Sequence, residues 1–503
     1  MNVIPCITWV KKGVAAAVPD KVQLTPQELE NIIKQTESNI KDIESDDDND
    51  DDTNPTVSKQ ANSSKGHQTQ SDAMIEDEFN FDKYDDEAGN IHCNIGGLAV
   101  LNKDGKDPFV TVGDSEDEDS EKEDDIIKDT DNLVLVGHVD GDASILEVHV
   151  YNEEEGSFYC HHDILLPSFP LCIEWLNFDS SDPRPGNLCA IGNMTPIIEV
   201  WDLDVVDCLE PAFKLGRKPS KKLKLKRVGH RDAVLDLAWN SNYTHVLASG
   251  SVDQTVLLWD LENGTPVTKL NSFNEKVQTI EWHPSETQKL LTGCSDKTVR
   301  LFDCRAEDDF KAWQTAGEVE RVLWNHFDPN YYFASTDNGQ IQYVDVRQDN
   351  PIWQISAHEK EITGLCLSTS CPGLLVSSCN GGILKVWDVI NHNEAILVWE
   401  KKANLGALQC LAANPDSPFI FVLGGDNKSD NMKVLNLLTS SAVSDRFKER
   451  QKIKLEFGDS QGTQTREVKT NQEIMEVTDE MESVALETSV SGSLGKKKKR
   501  NKK

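Results

Sequence analysis

Apolar and polar residues follow a repeating pattern between residues 201 and 436. Each unit has an apolar run, a turn of small and polar residues, and a second apolar run, as in VLASGSVDQTVLLWD (246–260) and LLVSSCNGGILKVWD (374–388). Short apolar runs bounded by turn residues predict β-strands. Every second run closes on a pair of residues that is Trp-Asp or a variant of it. These pairs begin at Trp201, Trp259, Phe302, Val344, Trp387 and Leu435.

Two markers keep the same period. The closing pairs are spaced by 58, 43, 42, 43 and 48 residues. A second series is spaced by 43, 42, 43 and 46 residues, and consists of Trp239, Trp282, Trp324, Leu367 and Ala413. A period of about 40–45 residues with closing Trp-Asp pairs is typical of propeller blades. The pattern therefore predicts an all-β fold, a seven-bladed WD-repeat β-propeller over residues 131–440.

The repeat also predicts a buried hydrogen-bond network within a blade. His230, Ser249 (or Ser251), Asp253 and Trp259 supply all four members, and the Asx residue of the turn satisfies local backbone donors. His358 restores the histidine in a later blade, where Asn380 takes the turn position. The structural WD-repeat residues predicted in this way are His230, Ser249, Asp253, Trp259, Asp260, Asp296, Asp303, Asp337, Asp345, His358, Trp387, Asp388, Trp201 and Asp202.

The two ends of the repeat region predict how the ring closes. SILEVHVY (144–151) and SFYCHHDILL (157–166) form a strand pair in the first blade, and LCIEWL (171–176) starts the next. The last blade has a weak fourth strand, SSAVSDRF (440–447). A strand at about residues 3–10 is expected to complete the ring by pairing an edge that is otherwise exposed.

Charge divides the rest of the chain into two further regions. The net charge of the whole chain is -35, and residues 1–131 hold 33 Asp and Glu against 12 Lys and Arg. Blocks such as ESDDDNDDD (44–52) and GDSEDEDSEKEDD (113–125) repel themselves, so residues 1–130 are predicted to be a largely disordered acidic arm. One helix at about 26–43 follows from a capping box and helical spacing of apolar residues. Residues 441–503 are predicted to be a disordered tail with a Lys-rich end.

Several stretches resemble one known family. The Trp-Asp repeats, the second tryptophan series, the acidic region and the segment from DNLVLVGHVDGDASILEVHVY to IGNMTPIIEVWDLDVVDCLEP are similar to the periodic tryptophan protein 1 family of WD-repeat proteins. The resemblance implies a non-enzymatic scaffold in the nucleus, mainly the nucleolus. It also implies association with chromatin, binding of histone tails, and support of RNA polymerase I transcription and ribosome biogenesis.

A basic loop supports an alternative function. KLGRKPSKKLKLKR (214–227) holds eight basic residues in fourteen, namely Lys214, Arg217, Lys218, Lys221, Lys222, Lys224, Lys226 and Arg227. Such a loop can bind RNA or DNA phosphates by counterion release, and the protein is then a pre-ribosome assembly factor that contacts RNA and ribosomal proteins directly. A nuclear-import segment, a solvated loop, and a docking site for the acidic arm are the other readings.

The charged ends carry candidate signals. The basic run Lys496, Lys497, Lys498, Lys499 and Arg500 is a candidate nuclear localisation signal, or a solvated tail that coats RNA. Ser45, Ser115 and Ser120 precede acidic residues and are candidate phosphorylation sites. The acidic runs either hold histones or ribosomal proteins or only keep the protein soluble.

The sequence contains none of the catalytic motifs considered below. HEKEI (358–362) lacks the second histidine of a zinc protease motif, and neither a Walker A loop nor a G-x-S-x-G turn occurs. The twelve cysteines form no C-x-x-C pair, and no run of eighteen apolar residues occurs. We therefore expect no enzyme activity, no cofactor, no metal, no small-molecule substrate and no membrane association.

Overall fold

The fold is described by a computed structural model that covers residues 2–22, 126–179, 186–220, 224–306 and 309–450. In these residues the chain forms seven consecutive blade sheets, six of four strands and one of three, and one further two-stranded sheet. The predicted all-β, seven-bladed propeller is confirmed. The predicted helix at 26–43, both acidic blocks and the Lys-rich end lie outside the described residues.

The strands fall into four positions, a to d, counted outwards from the central channel. The a strands are β1 (Asn2–Val10), β6 (Pro170–Leu176), β11 (Val234–Trp239), β15 (Val277–Trp282), β19 (Val319–Trp324), β23 (Ile362–Leu367) and β27 (Leu408–Ala413). The b strands are β3 (Asn132–Asp140), β7 (Leu188–Asn193), β12 (Val246–Ser251), β16 (Lys289–Cys294), β20 (Tyr331–Thr336), β24 (Leu374–Cys379) and β28 (Ile420–Gly425). The c strands are β4 (Ala143–Asn152), β8 (Ile198–Asp202), β13 (Val256–Asp260), β17 (Thr298–Asp303), β21 (Gln340–Asp345), β25 (Ile383–Asp388) and β29 (Met432–Asn436). The d strands are β5 (Ser157–Leu166), β10 (Phe213–Leu215), β14 (Thr265–Leu270), β18 (Phe310–Gln314), β22 (Trp353–Ser356) and β26 (Ile396–Lys402).

The a strands contact one another in sequence around the channel, and β27 contacts β1 to close the circle. All pairing within a blade is antiparallel, as in β11–β14. Successive connections therefore open on opposite faces of the propeller. We call the face of the b–c turns and d–a loops the upper face, and that of the a–b and c–d connections the lower face.

The predicted strand at residues 3–10 exists as β1, but its position differs from the expectation. It pairs with β3 as the inner strand of blade 1, and does not pair with the edge of blade 7. Residues on both of its faces are buried, in the pattern iBBiBBiBB, whereas an outer strand such as β5 alternates between exposed and buried residues. An a strand lies between two neighbouring blades, so apolar residues on both faces suit that place.

The position of β1 changes where the acidic region belongs in the topology. It is an insertion of the a–b connection of blade 1, and not an arm that precedes the fold. Its two ends are held on the lower face. A short strand β2 (Asp20–Lys21) pairs in parallel with β9 (Val205–Val206), and the backbone N–H of Ile127 donates to the carbonyl of Ala17 at 2.9 Å.

The prediction of a fourth strand at 440–447 is wrong. After a short 3₁₀ turn, Leu437–Thr439, the chain forms helix α1 (Ser441–Phe447). Val443 and Phe447 lie four residues apart, on one helical face, and both are fully buried. The chain thus stays packed up to about residue 450, beyond the predicted start of the tail at 441.

Asp388 fixes the end of this segment. Its carboxylate, at the end of β25, accepts from Arg446 Nε at 2.6 Å and from Arg450 Nη2 at 2.7 Å. The Asp388 side chain is almost fully buried. Charge-assisted bonds of this kind are the strong ones. The Trp-Asp pair of blade 6 therefore anchors the chain that follows blade 7.

The second tryptophan series joins neighbouring blades. The indole N–H of Trp282 donates to the carbonyl of Ala238 at 2.9 Å, and that of Trp324 to the carbonyl of Glu281 at 3.4 Å. Trp9 belongs to the same series and donates to the carbonyl of Ala412 in blade 7 at 3.2 Å. Three of the periodic tryptophans thus connect their a strand to the preceding one, and Trp9 does so across the joint where the ring closes. Trp175 and Trp239 instead donate to Asn187 and Thr244 of their own blades.

Candidate functional site

Blade 3 contains the complete predicted network. Ser249 Oγ accepts from the indole N–H of Trp259 at 2.7 Å and lies 2.7 Å from His230 Nε2. His230 Nδ1 lies 3.1 Å from Asp253 Oδ2, and Thr255 also donates to Asp253. Burial opposes ionisation, but the hydrogen bonds from His230 and Thr255 outweigh it and hold the pKa of Asp253 below its usual range. This network fixes the d–a loop and the b–c turn of the blade to each other.

Blade 6 contains a partial network. His358 Nε2 lies 2.8 Å from Ser377 Oγ, which accepts from Trp387 at 2.9 Å. Asn380 instead donates to Glu361, and His358 Nδ1 has no hydrogen-bond partner in the described part of the chain. Burial lowers the pKa of His358 to about 4. The ring is therefore neutral at physiological pH.

The other blades replace the network. In blade 4, Asp296 accepts from Arg300 at 2.6 Å, and the guanidinium lies over the ring of Phe273 at 5.0 Å. In blade 5, Asp337 is exposed, and a Cβ at Gly317 would lie 2.1 Å from its carboxylate. In blade 2, Trp201 is buried but its indole N–H has no partner among the described residues.

The closing aspartates have a different role from the network. Each one caps the turn that leads from strand c towards strand d, on the lower face. The backbone donors are those of Asp204 for Asp202, Glu262 for Asp260, Arg305 for Asp303, Arg347 for Asp345 and Ile390 for Asp388. These residues build the turns, and the structure shows no functional site around them.

The basic loop is an ordered projection in the part that the structure describes. Residues 216–220 and 224–229 form two arms, paired at Arg217–Val228 and at Ser220–Leu225 through reciprocal backbone bonds of 2.8–3.0 Å. We call this projection the basic hairpin. It is the d–a connection between blades 2 and 3, so it stands on the upper face. Gly229, with φ of 92°, ends the hairpin, and a Cβ there would lie 2.6 Å from the Trp259 ring. The blade 3 network thus positions the hairpin.

The basic residues of 214–227 differ in the exposure and the partners of their side chains. Lys214 lies outside the hairpin on β10, with Nζ 3.6 Å from the buried carboxylate of Glu199. Arg227 Nη1 donates to the carbonyl of Arg231 at 3.3 Å, and its side chain is exposed. Arg217, Lys218, Lys224 and Lys226 are exposed as well. Lys221 and Lys222 lie outside the described residues. Five described cations therefore face solvent on one ribbon, and Lys214, which is also exposed, stays a prediction beside it on β10.

A cleft adjoins the hairpin. It has a volume of about 330 Å³ and lies between the hairpin base and the outer strand of blade 3. Arg227 and Lys269 stand at its sides, and the apolar side chain of Val267 is exposed in it. Two cations and one exposed apolar side chain therefore line this cleft beside the hairpin.

Comparison with known proteins agrees with this geometry. The family model of the WD domain, G-beta repeat, matches residues 221–260, 264–303 and 349–388, and each match ends at a closing aspartate. The Periodic tryptophan protein 1 homolog of Drosophila melanogaster is 44% identical over 460 residues, which cover 89% of this chain and 96% of that protein. The chain belongs to the periodic tryptophan protein 1 family. This family is one of WD-repeat scaffolds.

Two further relatives place the chain more broadly. Periodic tryptophan protein 1 of Saccharomyces cerevisiae is 30% identical over 521 residues, covering 88% of this chain and 90% of that protein. Histone acetyltransferase type B subunit 2 of Candida glabrata is 26% identical over 166 residues, covering 32% of this chain and 40% of that protein. The Drosophila and Saccharomyces matches span nearly the whole chain, and the Candida match spans only part of the propeller.

The sequence analysis did not predict a belt of residues on the a strands, which surround the central channel. The seven positions that lie three residues before the five periodic tryptophans, Leu367 and Ala413 each adjoin a strand irregularity. They hold Cys6, Cys172, Asp236, Thr279, Arg321, Gly364 and Cys410. Several bond to the next blade: Cys172 to the carbonyl of Val234, Asp236 to the N–H of Ile280, and Cys410 to the carbonyl of Ile4. The fixed spacing of three residues is the signal that could have identified this belt.

Carboxylates one residue before two of the tryptophans continue the belt. Glu174 accepts from the backbone N–H of Trp239 at 3.0 Å, and Glu281 from that of Trp324 at 2.7 Å. Burial raises the pKa of each carboxyl to about 8 despite these bonds. Their role is to satisfy backbone donors between blades. A perturbed pKa in this channel is therefore explained by structure and does not indicate catalysis.

The remaining candidates have no structural account. Lys496, Lys497, Lys498, Lys499, Arg500, Ser45, Ser115 and Ser120 lie outside the described residues. Within the described ranges, no group of three or more His, Cys, Asp or Glu side chains is placed to hold a metal ion. In the same ranges no helix has the length and apolar character needed to cross a membrane.

Proposed function

We propose that this WD-repeat scaffold works in the nucleus, mainly the nucleolus. There it associates with chromatin, binds histone tails, and supports RNA polymerase I transcription of ribosomal RNA and ribosome biogenesis. Membership of the periodic tryptophan protein 1 family supports the scaffold role. The partial likeness to a histone acetyltransferase subunit supports a histone partner.

The acidic insertion is the observation that carries the proposal. Residues 1–131 hold 33 of the 86 acidic residues, and the segment leaves and re-enters the fold at one place on the lower face of blades 1 and 2. A dense run of carboxylates attracts polycations such as histone tails and basic ribosomal proteins. The propeller then holds this run close to whatever protein binds its faces.

The test is sedimentation of the protein from nuclear extract after nuclease treatment. We expect DNase, and not RNase, to release it from heavy fractions. A variant lacking 44–52 and 113–125 should lose histone binding while the propeller remains intact, because both deletions lie inside the insertion. A variant lacking two stretches of equal length from 53–72 and 470–482 is the control for shortening the chain. Release by RNase alone contradicts the chromatin role.

The basic hairpin favours a second candidate function, a pre-ribosome assembly factor that contacts RNA directly. Five exposed cations on one ordered ribbon suit a phosphate backbone, and the hairpin carries no aromatic side chain for stacking on bases. Binding by this route is electrostatic and largely independent of sequence. The residues assigned to it are Arg217, Lys218, Lys224, Lys226 and Arg227.

Alanine at these five positions tests the RNA role. Each lost phosphate contact with single-stranded RNA reduces the magnitude of the slope of log affinity against log salt by about 0.7, so five lost contacts should reduce it by roughly 3.5. The matched control replaces five exposed lysines elsewhere and keeps the basic hairpin intact, namely Lys401, Lys402, Lys428, Lys433 and Lys448. Equal losses in both variants would mean that only net charge matters.

A further inference from the structure

Ser220 lies within the basic hairpin, among the cations that the second candidate function assigns to RNA. It ends the first arm, and its backbone N–H and carbonyl exchange hydrogen bonds of 3.0 Å with Leu225 on the second arm. Its side chain is partly exposed, and Arg217, Lys218 and Pro219 before it are exposed. The hydroxyl therefore stands on a ribbon that projects from the upper face, where an enzyme can bind the residues that precede it.

The residues before Ser220 form a motif that occurs once in the chain. Arg217 stands three residues before it, and none of the other serines or threonines of the sequence has an arginine at that distance. Many protein kinases bind an arginine in this position with their own carboxylates, because a guanidinium and a carboxylate form two parallel hydrogen bonds. Lys218, Lys221 and Lys222 add positive charge around the serine. The segment therefore suits a kinase with an acidic substrate groove.

The pairing of the two arms shows on which side of the hairpin Ser220 lies. The pairs are Arg217–Val228 and Ser220–Leu225, three residues apart on each arm, so both belong to one register. Successive side chains of an extended arm point to opposite sides. Arg217 therefore lies on the side opposite to Ser220, and it can be bound by an enzyme without being a neighbour of the hydroxyl.

Two cations share the side of Ser220. Lys218 precedes it by two residues, and in the same register Arg227 lies opposite Lys218, two residues after Leu225. Side chains that are opposite or diagonal on an antiparallel pair lie about 5–8 Å apart, within reach of a lysine or an arginine. Lys226 lies on the other side. Any negative charge attached to Ser220 therefore has Lys218 and Arg227 as its neighbours.

A phosphate on Ser220 would change the binding properties of this side. It carries about −1.5 to −2 charges at pH 7. Its oxygens accept charge-assisted hydrogen bonds from Lys218 and Arg227, and the guanidinium can donate two of them. The same donors would otherwise bind the phosphates of RNA. A phosphate on the hairpin thus replaces contacts with RNA by contacts within the protein.

We propose that Ser220 is a phosphorylation site for a kinase that recognises Arg217, and that its phosphate holds Lys218 and Arg227 away from RNA. The effect on RNA rests on the second candidate function, whereas the modification itself does not. In the reaction the Ser220 oxygen forms a bond to the γ-phosphorus of ATP, and the bond from that phosphorus to the ADP oxygen breaks. ADP leaves with the bonding electron pair, and the hydroxyl proton passes to a carboxylate of the kinase.

Mapping of phosphorylated residues by mass spectrometry tests the modification. The full chain is incubated with cell extract and ATP, and we expect phosphate on Ser220. Arg217→Ala should reduce it at least roughly tenfold, because the kinase loses its anchoring cation. Arg227→Ala, seven residues beyond the serine, is the matched control and should be phosphorylated normally. Absence of phosphate from Ser220 overturns the proposal, and so does equal phosphorylation of the Arg217 variant.

Phosphorus NMR of the phosphorylated full chain tests the contact without RNA. Neighbouring cations favour the dianion, so the second pKa of the phosphate should lie below the value of about 6 that is usual for phosphoserine. Arg227→Ala should raise this pKa, and Lys226→Ala, on the other side of the hairpin, should leave it unchanged. A pKa equal to that of a phosphoserine peptide overturns the contact.

Binding of a single-stranded oligouridine tests the consequence. With two of the five cations occupied, the magnitude of the slope of log affinity against log salt should fall by about 1.4. Ser220→Ala, treated in the same way, should keep the slope of the unmodified protein. If alanine at all five cations leaves the slope unchanged, the second candidate function fails, and the modification stands or falls with the mapping. An unchanged slope on phosphorylation, where five alanines do reduce it, overturns the proposal.

Discussion

Blades 1 and 7 lie side by side where the ring closes, and they are completed in different ways. Blade 1 has four strands, but its inner strand comes from residues 2–10 and its next strand begins at residue 132. Blade 7 is continuous in sequence but has three strands in the described residues, followed by a helix anchored to blade 6. The comparison teaches that a strand distant in sequence closes the ring at blade 1, whereas an ion-pair cluster on Asp388 of blade 6 holds the chain that follows blade 7.

Removal of β1 should have the largest effect. A chain without residues 2–10 exposes the buried faces of both neighbouring blades, so we expect loss of cooperative folding. A chain in which an about eight-residue Gly-Ser linker replaces 24–124 should keep its Tm within a few degrees, because Ala17 and Ile127 already lie together. Thermal unfolding followed by circular dichroism measures both. A stable propeller without β1 would contradict the assigned closure.

Release of the blade 7 anchor comes next. Asp388→Ala removes the acceptor for Arg446 and Arg450 and leaves two cations without a partner, so we expect a loss of about 2–4 kcal/mol. Asp345→Ala is the control, because its partner Arg347 is largely exposed, and it should cost about 1 kcal/mol. Urea unfolding compares them. Equal costs would mean that Asp388 only caps its turn.

A smaller effect is expected for the bond across the closing joint. Trp9→Phe removes the indole donor to Ala412 as well as ring volume, and we expect a loss of about 1–3 kcal/mol. Trp201→Phe removes the same volume from an indole whose N–H has no partner in the described ranges. The difference between the two variants, about 1 kcal/mol, measures the hydrogen bond. No difference would show that the periodic tryptophan acts by packing alone.

The smallest effect concerns pH. A hydrogen bond to Glu147 raises the pKa of His138, whose Nε2 lies 2.8 Å from Oδ1 of Asn2. Because the folded pKa is raised, this stabilisation is complete below pH 6.5 and is lost as the pH rises through the folded value. We therefore expect the Tm difference between the protein and His138→Gln to shrink from pH 6 to pH 9. A constant difference would exclude linkage at this site.

The sequence predicted the blades because two series of residues kept one period. It placed β1 at the wrong edge, since the period alone is satisfied by either closure. The pattern in residues 2–10 held the answer, because CITW (6–9) and CIEW (172–175) share the spacing of an a strand. The helix at 441–447 was missed because Val443 and Phe447 are too few to show a helical period.

The candidate site was predicted less completely. Clustered lysines identified the loop at 214–227, but the sequence could not show that Lys214 faces Glu199 across a strand pair. The belt on the a strands was missed because its members are Cys, Asp, Thr, Arg and Gly, although all of them share one spacing of three residues. Such a set shares a position in space and no common chemistry. Several of its members bond to backbone atoms of the next blade. Every residue type has these backbone groups, so the sequence does not show which positions are partners.

The position of β1 also determines when the ring can close during synthesis of the chain. Trp9 leaves the ribosome early, and its acceptor Ala412 follows 403 residues later. At 5–20 residues per second this interval is roughly 20–80 s. Through that time the apolar strand that contains Ile4, Ile7 and Trp9 lacks its second neighbour. The ring therefore cannot close until synthesis has passed residue 412.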